Sequence, residues 1–175
     1  YKRQGFVLDD TIYPVTIGTD GQVVEIEIVN EYGRGNIHLT KVDSEYPDNK
    51  LTGAVFEVYK DSNNNSKLDE GDELLGTLTE KEIGEYGMND LFYGRYFIKE
   101  TKAPDGFVLD TDVYEVVIDT DGKTYDVENK AGVGFINEVM RGNLKIVKTS
   151  SDGKVKGFAF RITGANGYEI ILETD

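Results

Sequence analysis

Lys41, Glu100 and Asn137 carry an amine, a carboxyl and a carboxamide, the three groups needed to build an amide crosslink between two side chains. An amine that attacks a carboxamide carbon forms a new amide and expels ammonia, provided an acid relays the protons. Their placement follows from strand alternation, in which successive side chains point to opposite faces. In Ile37-His38-Leu39-Thr40-Lys41 the lysine shares a face with Ile37 and Leu39. In Tyr96-Phe97-Ile98-Lys99-Glu100 the glutamate goes with Tyr96 and Ile98, and between Val133 and Val139 the asparagine goes with Val133, Phe135 and Val139. Three polar groups therefore face one apolar interior, where burial is costly unless they are paired or neutral. Desolvation lowers a lysine's pKa and raises a carboxylic acid's, leaving a free amine and a protonated Glu100 able to polarise the Asn137 carbonyl. A plainer alternative puts Lys41 and Asn137 near strand ends, with the lysine reaching solvent and Glu100 in an ordinary ion pair.

The elements that must hold these residues recur along the chain. Gly35-Asn36-Ile37-His38-Leu39-Thr40-Lys41 reappears as Gly142-Asn143-Leu144-Lys145-Ile146-Val147-Lys148, a spacing of 107 by subtraction, and Asn30 precedes Asn137 by the same interval. Polar residues keep their parity: Val24, Ile26, Ile28 and Asn30 share one face of an expected strand, and Leu144, Ile146 and Lys148 repeat the arrangement of Ile37, Leu39 and Lys41. Gly5-Phe6-Val7-Leu8-Asp9 matches Gly106-Phe107-Val108-Leu109-Asp110, Thr19-Asp20-Gly21 matches Thr120-Asp121-Gly122, and Gly53-Ala54-Val55-Phe56 matches Gly157-Phe158-Ala159-Phe160. A repeat of that length is a whole domain. The expected organisation is the C-terminal part of one domain (1–34), a complete domain (35–141) and the N-terminal part of a third (142–175). Asn30 and Lys148 would then be partial sites of neighbouring domains, and only the middle domain holds a full set of crosslinking residues.

Gly35 to Lys41, then Leu51-Thr52-Gly53-Ala54-Val55-Phe56-Glu57-Val58-Tyr59, then Tyr96-Phe97-Ile98-Lys99-Glu100-Thr101-Lys102-Ala103-Pro104-Asp105-Gly106-Phe107 resemble the Cna B-type (SpaA-type) domains of Gram-positive surface adhesins and pilins. The last stretch is similar to that family's E-box, tyrosine-x-leucine-x-glutamate-threonine-x-alanine-proline-x-glycine-tyrosine, with Ile98 and Phe107 as departures. The resemblance implies an all-β, immunoglobulin-like β-sandwich in tandem copies. It also implies an isopeptide bond between Lys41 and Asn137, with Glu100 as its catalyst.

A second candidate site is the segment Asp61 to Asp72. Asp61, Asn63, Asn65, Asp69 and Asp72 occupy positions 1, 3, 5, 9 and 12 of a calcium loop of the EF-hand type, Lys67 offers its carbonyl at position 7, and Leu68 is the apolar residue at position 8. Ser66 stands where glycine usually makes the turn, and Asp72 is shorter than the usual bidentate glutamate, with Glu73 beside it to assist. Asn- and Asp-rich hairpin tips also arise for turn chemistry alone.

Composition bounds the rest. A net charge of −14 argues against nucleic acid or an anionic membrane as a partner. With no cysteine, disulfides and thiol chemistry are excluded, and with one histidine, on the outward parity of its strand, no Ser-His-Asp set can be built. Thr120-Asp121-Gly122-Lys123 reads as a hairpin turn. Glu31-Tyr32-Gly33-Arg34 and Glu138-Val139-Met140-Arg141 are short links that favour a stiff array. The expected role is a structural, non-enzymatic stalk segment on a Gram-positive cell surface, contacting neighbouring repeats of its own chain, with any host extracellular matrix ligand held through another region; no cofactor is required, and calcium in the loop is the one candidate. The alternatives are a module that itself binds a host matrix protein or glycan, and a passive spacer in a secreted enzyme.

Overall fold

The computed structural model describes residues 5–164 and 168–174 and forms two compact units, Tyr1–Met140 and Arg141–Asp175. All regular structure among the described residues is strand. In the first unit β1 (Arg34–Asp43), β2 (Val55–Lys60), β3 (Glu73–Thr77), β4 (Thr79–Glu82), β5 (Glu85–Phe92), β6 (Gly94–Lys102), β7 (Val113–Ile118), β8 (Thr124–Asp126) and β9 (Phe135–Asn137) make two sheets. One runs β4-β5-β1-β8 with β9 also on β1, and the other runs β3-β2-β6-β7. The alternation that sorts residues inward is visible in β1, where Gly35, Ile37, Leu39 and Lys41 are buried between half-buried neighbours. Ile37 and Leu39 from one sheet meet Phe56, Val58 and Ile98 from the other. The Phe56 ring stands edge-on to Phe135 and Tyr86, with centroids 4.9 and 5.4 Å away, an arrangement favoured by the ring quadrupoles.

β1 is the organising strand. It pairs antiparallel with β5 on one side, and on the other β8 and β9 lie end to end beside it, both parallel, opposite residues 36–38 and 41–43. Between β8 and β9 the chain steps out and returns at Gly134, whose φ of 128° lies outside the range of ordinary side chains. A Cβ there would sit 2.7 Å from the Thr40 carbonyl oxygen, so backbone approach alone demands glycine.

The turn at Thr120-Asp121-Gly122-Lys123 differs from the expected hairpin. β7 belongs to the β6 sheet and β8 to the β1 sheet, so the turn crosses between sheets. It is latched to the start of β1, since the Arg34 amide donates to Asp121 Oδ1 (2.9 Å) and the Gly122 amide to the Arg34 carbonyl (2.8 Å). Local turn chemistry is the same for both connections, which is why the sequence could not separate them.

Outside the sandwich the repeat survives in local geometry. The Val7 amide donates to Glu31 O and the Gly33 amide to Gly5 O, just as Val108 donates to Glu138 O and Met140 to Gly106 O. Phe6 bridges Tyr32 as Phe107 bridges Val139. The matched glycines Gly5 and Gly106 both take positive φ, as do Gly53 and Gly157. The expected strands over 24–30 and 142–148, however, form no ladder, and Val24, Ile26, Ile28 and Leu144 are exposed. A strand needs a neighbour to receive its backbone bonds, and none of the described residues supplies one. In the second unit β10 (Ala159–Thr163) and β11 (Glu169–Glu173) make an antiparallel pair.

Gly134→Ala is expected to destabilise the domain by about 1 to 3 kcal/mol through backbone strain, read as a lower urea midpoint. An unchanged midpoint would show that β9 does not need this close approach.

Candidate functional site

Lys41, Glu100 and Asn137 are 0, 1 and 2% exposed, all inside the sandwich. Lys41 and Asn137 come from the adjacent parallel strands β1 and β9, where Lys41 is in register with Phe135 and Asp43 with Asn137. Glu100 comes from β6 in the facing sheet, opposite Phe56 of β2. The amine donates to the Phe135 carbonyl at 3.0 Å and the Val42 carbonyl at 3.4 Å, and lies 5.7 Å from the Phe135 ring centroid. Asn137 Nδ2 donates to Glu100 Oε2 (2.8 Å) and to the Val108 carbonyl (3.0 Å).

Among the described residues, two atoms break the usual rule that buried polar groups find partners. Glu100 Oε1 and Asn137 Oδ1 are both buried without a hydrogen bond. Burial pushes the Lys41 amine down to about 8, against the opposing fields of Glu100, Asp110 and Asp43. Burial raises the Glu100 carboxyl, against the Asp110 amide, the Asn137 amide and the Lys41 charge. A neutral amine, a protonated acid and a carboxamide with its oxygen unengaged are what a transamidation requires.

Sequence reasoning missed a second group beside this one. Asp110 gives its backbone N–H to Glu100 Oε2 (2.9 Å), while its carboxylate accepts from the Tyr114 hydroxyl (2.6 Å) and Asn129 Nδ2 (2.8 Å). A signal was present in the spacing: Asp9 and Tyr13 stand four residues apart as Asp110 and Tyr114 do, and they make the same carboxylate–hydroxyl contact.

The 61–72 segment forms a tight turn. Asp61 is buried and accepts from the Asn65 and Ser66 amides at 3.2 and 3.1 Å. Asp69 accepts from the amide groups of Asn63 and Asn65, and Asp72 from the backbone of Ser62 and Asp69. Ser66 takes φ 62°, the left-handed turn for which calcium loops normally use glycine. The Lys67 amide donates to Asn65 Oδ1 (2.8 Å). The donors are all hard oxygens; among the described residues no three of the His, Cys, Asp and Glu side chains cluster as a metal site, so Asn oxygens and a carbonyl would complete the set. Elsewhere, Asn30 is exposed, and Lys148 donates to the Thr149 carbonyl (3.2 Å) and lies over the Phe158 ring. His38 spans Glu85 and Asp126, each at 2.7 Å, in surface pairing.

Comparison with known proteins accords with this architecture. The SpaA model, a prealbumin-like fold domain, matches residues 35–131. The chain belongs to the SpaA family. As a SpaA domain protein it is 26% identical over 170 residues to the trypsin-resistant surface T6 protein of Streptococcus pyogenes serotype M6, covering 79% of this chain and 29% of that one. It superposes on the Bacillus anthracis TIE protein with a TM-score of 0.76 at 26% identity, covering 98% of this chain and 30% of that one. The T6 backbone pilin structure matches at 32% identity with a TM-score of 0.40, over 51% of this chain and 17% of that one. This SpaA chain thus spans less than a third of the length of each.

The pH dependence of amide formation follows from the two shifts. The reactive pair, neutral Lys41 with protonated Glu100, is populated most between their pKa values. Below that window the rate climbs with pH as the amine is freed; above it the rate falls, because Glu100 keeps losing its proton while little more amine is released. The ammonia-release rate of a chain refolded from denaturant should therefore pass through a maximum as pH rises. A rate still rising at pH 10, near the ordinary lysine value of 10.5, would rule this assignment out.

Proposed function

We propose that the chain is a structural stalk segment of a Gram-positive surface protein or pilus-like fibre, whose middle domain closes an autocatalytic amide between Lys41 and Asn137. The observation that carries this reading is the pair of buried, unpartnered oxygens on Glu100 and Asn137 beside a buried amine. Lys41 Nζ attacks Asn137 Cγ; the new C–N bond forms, the Cγ–Nδ2 bond breaks, and Glu100 passes a proton from the amine to the leaving group, which departs as ammonia. Because the site consumes its own side chains, the reaction runs once. SpaA membership and similarity to a streptococcal surface protein support the surface role.

The mechanical consequence comes from topology. β1 opens the domain and β9 closes it, side by side and parallel. Pulling the domain by its two ends shears β1 past β9, and an amide across them takes the load in place of hydrogen bonds. Stiffness at the entry joint has support of its own. Tyr32 stacks on Phe6 (4.5 Å) and stands edge-on to Phe92 (5.4 Å), while Arg34 lies over Phe92 and pairs with Asp90. Residues 1–34 and 142–175 are proposed as parts of neighbouring repeats, on the strength of the matched bonds and glycines.

Intact mass of the purified chain should fall about 17 Da below the sequence value, and Glu100→Ala should restore it. The variant should also lose about 4 to 5 kcal/mol, the chain-entropy value for closing a loop of this size, or about 20 to 30 °C in Tm for a domain of this length. An unmodified parent mass would sink the crosslink and the mechanical reading with it. Retained affinity of this fragment for a host matrix protein or glycan would then favour a binding module.

The 61–72 loop is further proposed to take calcium, supported by its oxygen set and by the turn at Ser66. At calcium about a hundredfold above Kd the unfolding free energy should rise by about 2.7 kcal/mol, and Asp69→Ala should remove the rise. Equal melting curves in calcium and in chelator would dismiss the site.

A further inference from the structure

Asp110 and Asn129 sit where the two reacting arms approach each other, and neither is a reactant. Glu100 Oε2 is held by two N–H donors, the Asp110 backbone (2.9 Å) and Asn137 Nδ2 (2.8 Å), so only Oε1 is left open. Asn129 clamps the residue just before Asn137: its Oδ1 accepts the Ile136 amide (2.7 Å) and its Nδ2 donates to the Ile136 carbonyl (2.9 Å). The same Nδ2 donates to Asp110 Oδ2 at 2.8 Å, and the Tyr114 hydroxyl donates to that oxygen at 2.6 Å. One hydrogen-bonded chain thus runs from the Glu100 carboxyl through Asp110 and Asn129 to the backbone that presents Asn137.

We propose that Asp110, Tyr114 and Asn129 are positioning residues for amide formation, with Asp110 acting as a fixed anion that ties the acid arm to the asparagine arm. The inference rests on the crosslinking reading above. Asp110 and Glu100 take opposite protonation states in nearby places, as paired carboxyls with separate duties do. Burial pushes the Asp110 carboxyl up, but the hydrogen bonds from Tyr114, Asn129 and the Asp112 amide outweigh it and hold the group below the usual range. Glu100 moves the other way. The ionised Asp110 also raises both reacting groups, keeping the proton on Glu100 to higher pH. Tyr114 braces the set from the other side, with its ring edge-on to Phe135 at 5.0 Å. The pairing recurs where the repeat predicts it: Asp9 accepts from the Tyr13 hydroxyl and the Thr11 amide, as Asp110 does from Tyr114 and the Asp112 amide.

The test is a refolding time course of the whole chain from denaturant, followed by the loss of about 17 Da and referred to the folded fraction from circular dichroism. Asp110→Asn removes the charge but keeps a side chain of the same shape; Tyr114→Phe removes one hydroxyl and leaves the charge. Both should slow amide formation about 10- to 100-fold at neutral pH, the range for misplaced reacting groups. The charged groups facing Glu100 are Lys41 and Asp110, and those facing Lys41 are Glu100, Asp110 and Asp43. Removing the Asp110 charge should therefore shift both limbs of the pH–rate profile to lower pH, whereas Tyr114→Phe should lower the rate with the limbs close to their parental places. A merely structural role would lower the folded fraction and leave the profile where it was. Parental rates and limbs in both variants, with the parent still losing ammonia, would overturn the positioning role while leaving the crosslink intact. A parent that loses no ammonia would overturn the crosslink itself.

Discussion

An amine and a carboxyl buried together in an apolar sandwich set the terms for the rest of this domain. Fully charged, Lys41 and Glu100 would each carry a desolvation cost of several kcal/mol, and the hydrogen bonds present do not saturate them, since Glu100 Oε1 is left bare. The neutral pair avoids that cost. Neutrality is also the state in which the amine is a nucleophile and the carboxyl a proton donor, so the condition that lets the core close is the one the proposed crosslink needs. In the proposed crosslink an amide, which cannot become a cation, takes the place of the ionisable Lys41 amine, so the core no longer holds that amine at risk of a buried charge.

The sheets are arranged to bring that pair together. β1, with β5 on one side and β8 and β9 on the other, holds Lys41 fully buried on its inward face. The break between β8 and β9 matters as much. A single unbroken last strand would have to follow β1 throughout, whereas the excursion ending at Gly134 lets β9 re-enter opposite Lys41 with Asn129 reaching back to clamp Ile136. Glycine at 134 and asparagine at 129 are thus two halves of one device, the first permitting close approach and the second fixing its register.

Strand alternation groups Lys41, Glu100 and Asn137 with apolar residues buried on their own faces of β1, β6 and β9, although Phe97 and Ile136 put apolar side chains on the opposite faces as well, and the SpaA fold was legible from the segments around them. What alternation could not reach was anything decided by partners distant in sequence. The turn at residues 120–123 carries hairpin chemistry yet switches sheets, a choice made by β1 accepting β8. The stretches 24–30 and 142–148 have faultless strand patterns but no ladder, because a pattern states what a strand would bury and not whether a partner is present. Asp110 and Asn129 were invisible for a related reason: each lies in a connection, where parity says nothing, and only the matching Asp9 and Tyr13 carried a hint.

That contrast separates local from cooperative information in the repeat. The bonds that close residues 5–7 on 31–33, the positive-φ glycines and the Asp9–Tyr13 contact all recur without a surrounding sandwich, since each needs only a few neighbouring residues. Among the described residues, burial of the lysine, the raised carboxyl and the two orphaned oxygens occur only where both sheets are complete. Asn30 and Lys148 have the sequence context of Asn137 and Lys41, yet Asn30 is exposed and Lys148 lies over a phenylalanine ring. On the proposed crosslink, reactivity is therefore a property of the finished core rather than of its residues. On that proposal, an array of such repeats would carry lysines and asparagines along its length and react only within domains that have already folded, which would keep crosslinks from forming between the wrong strands during assembly.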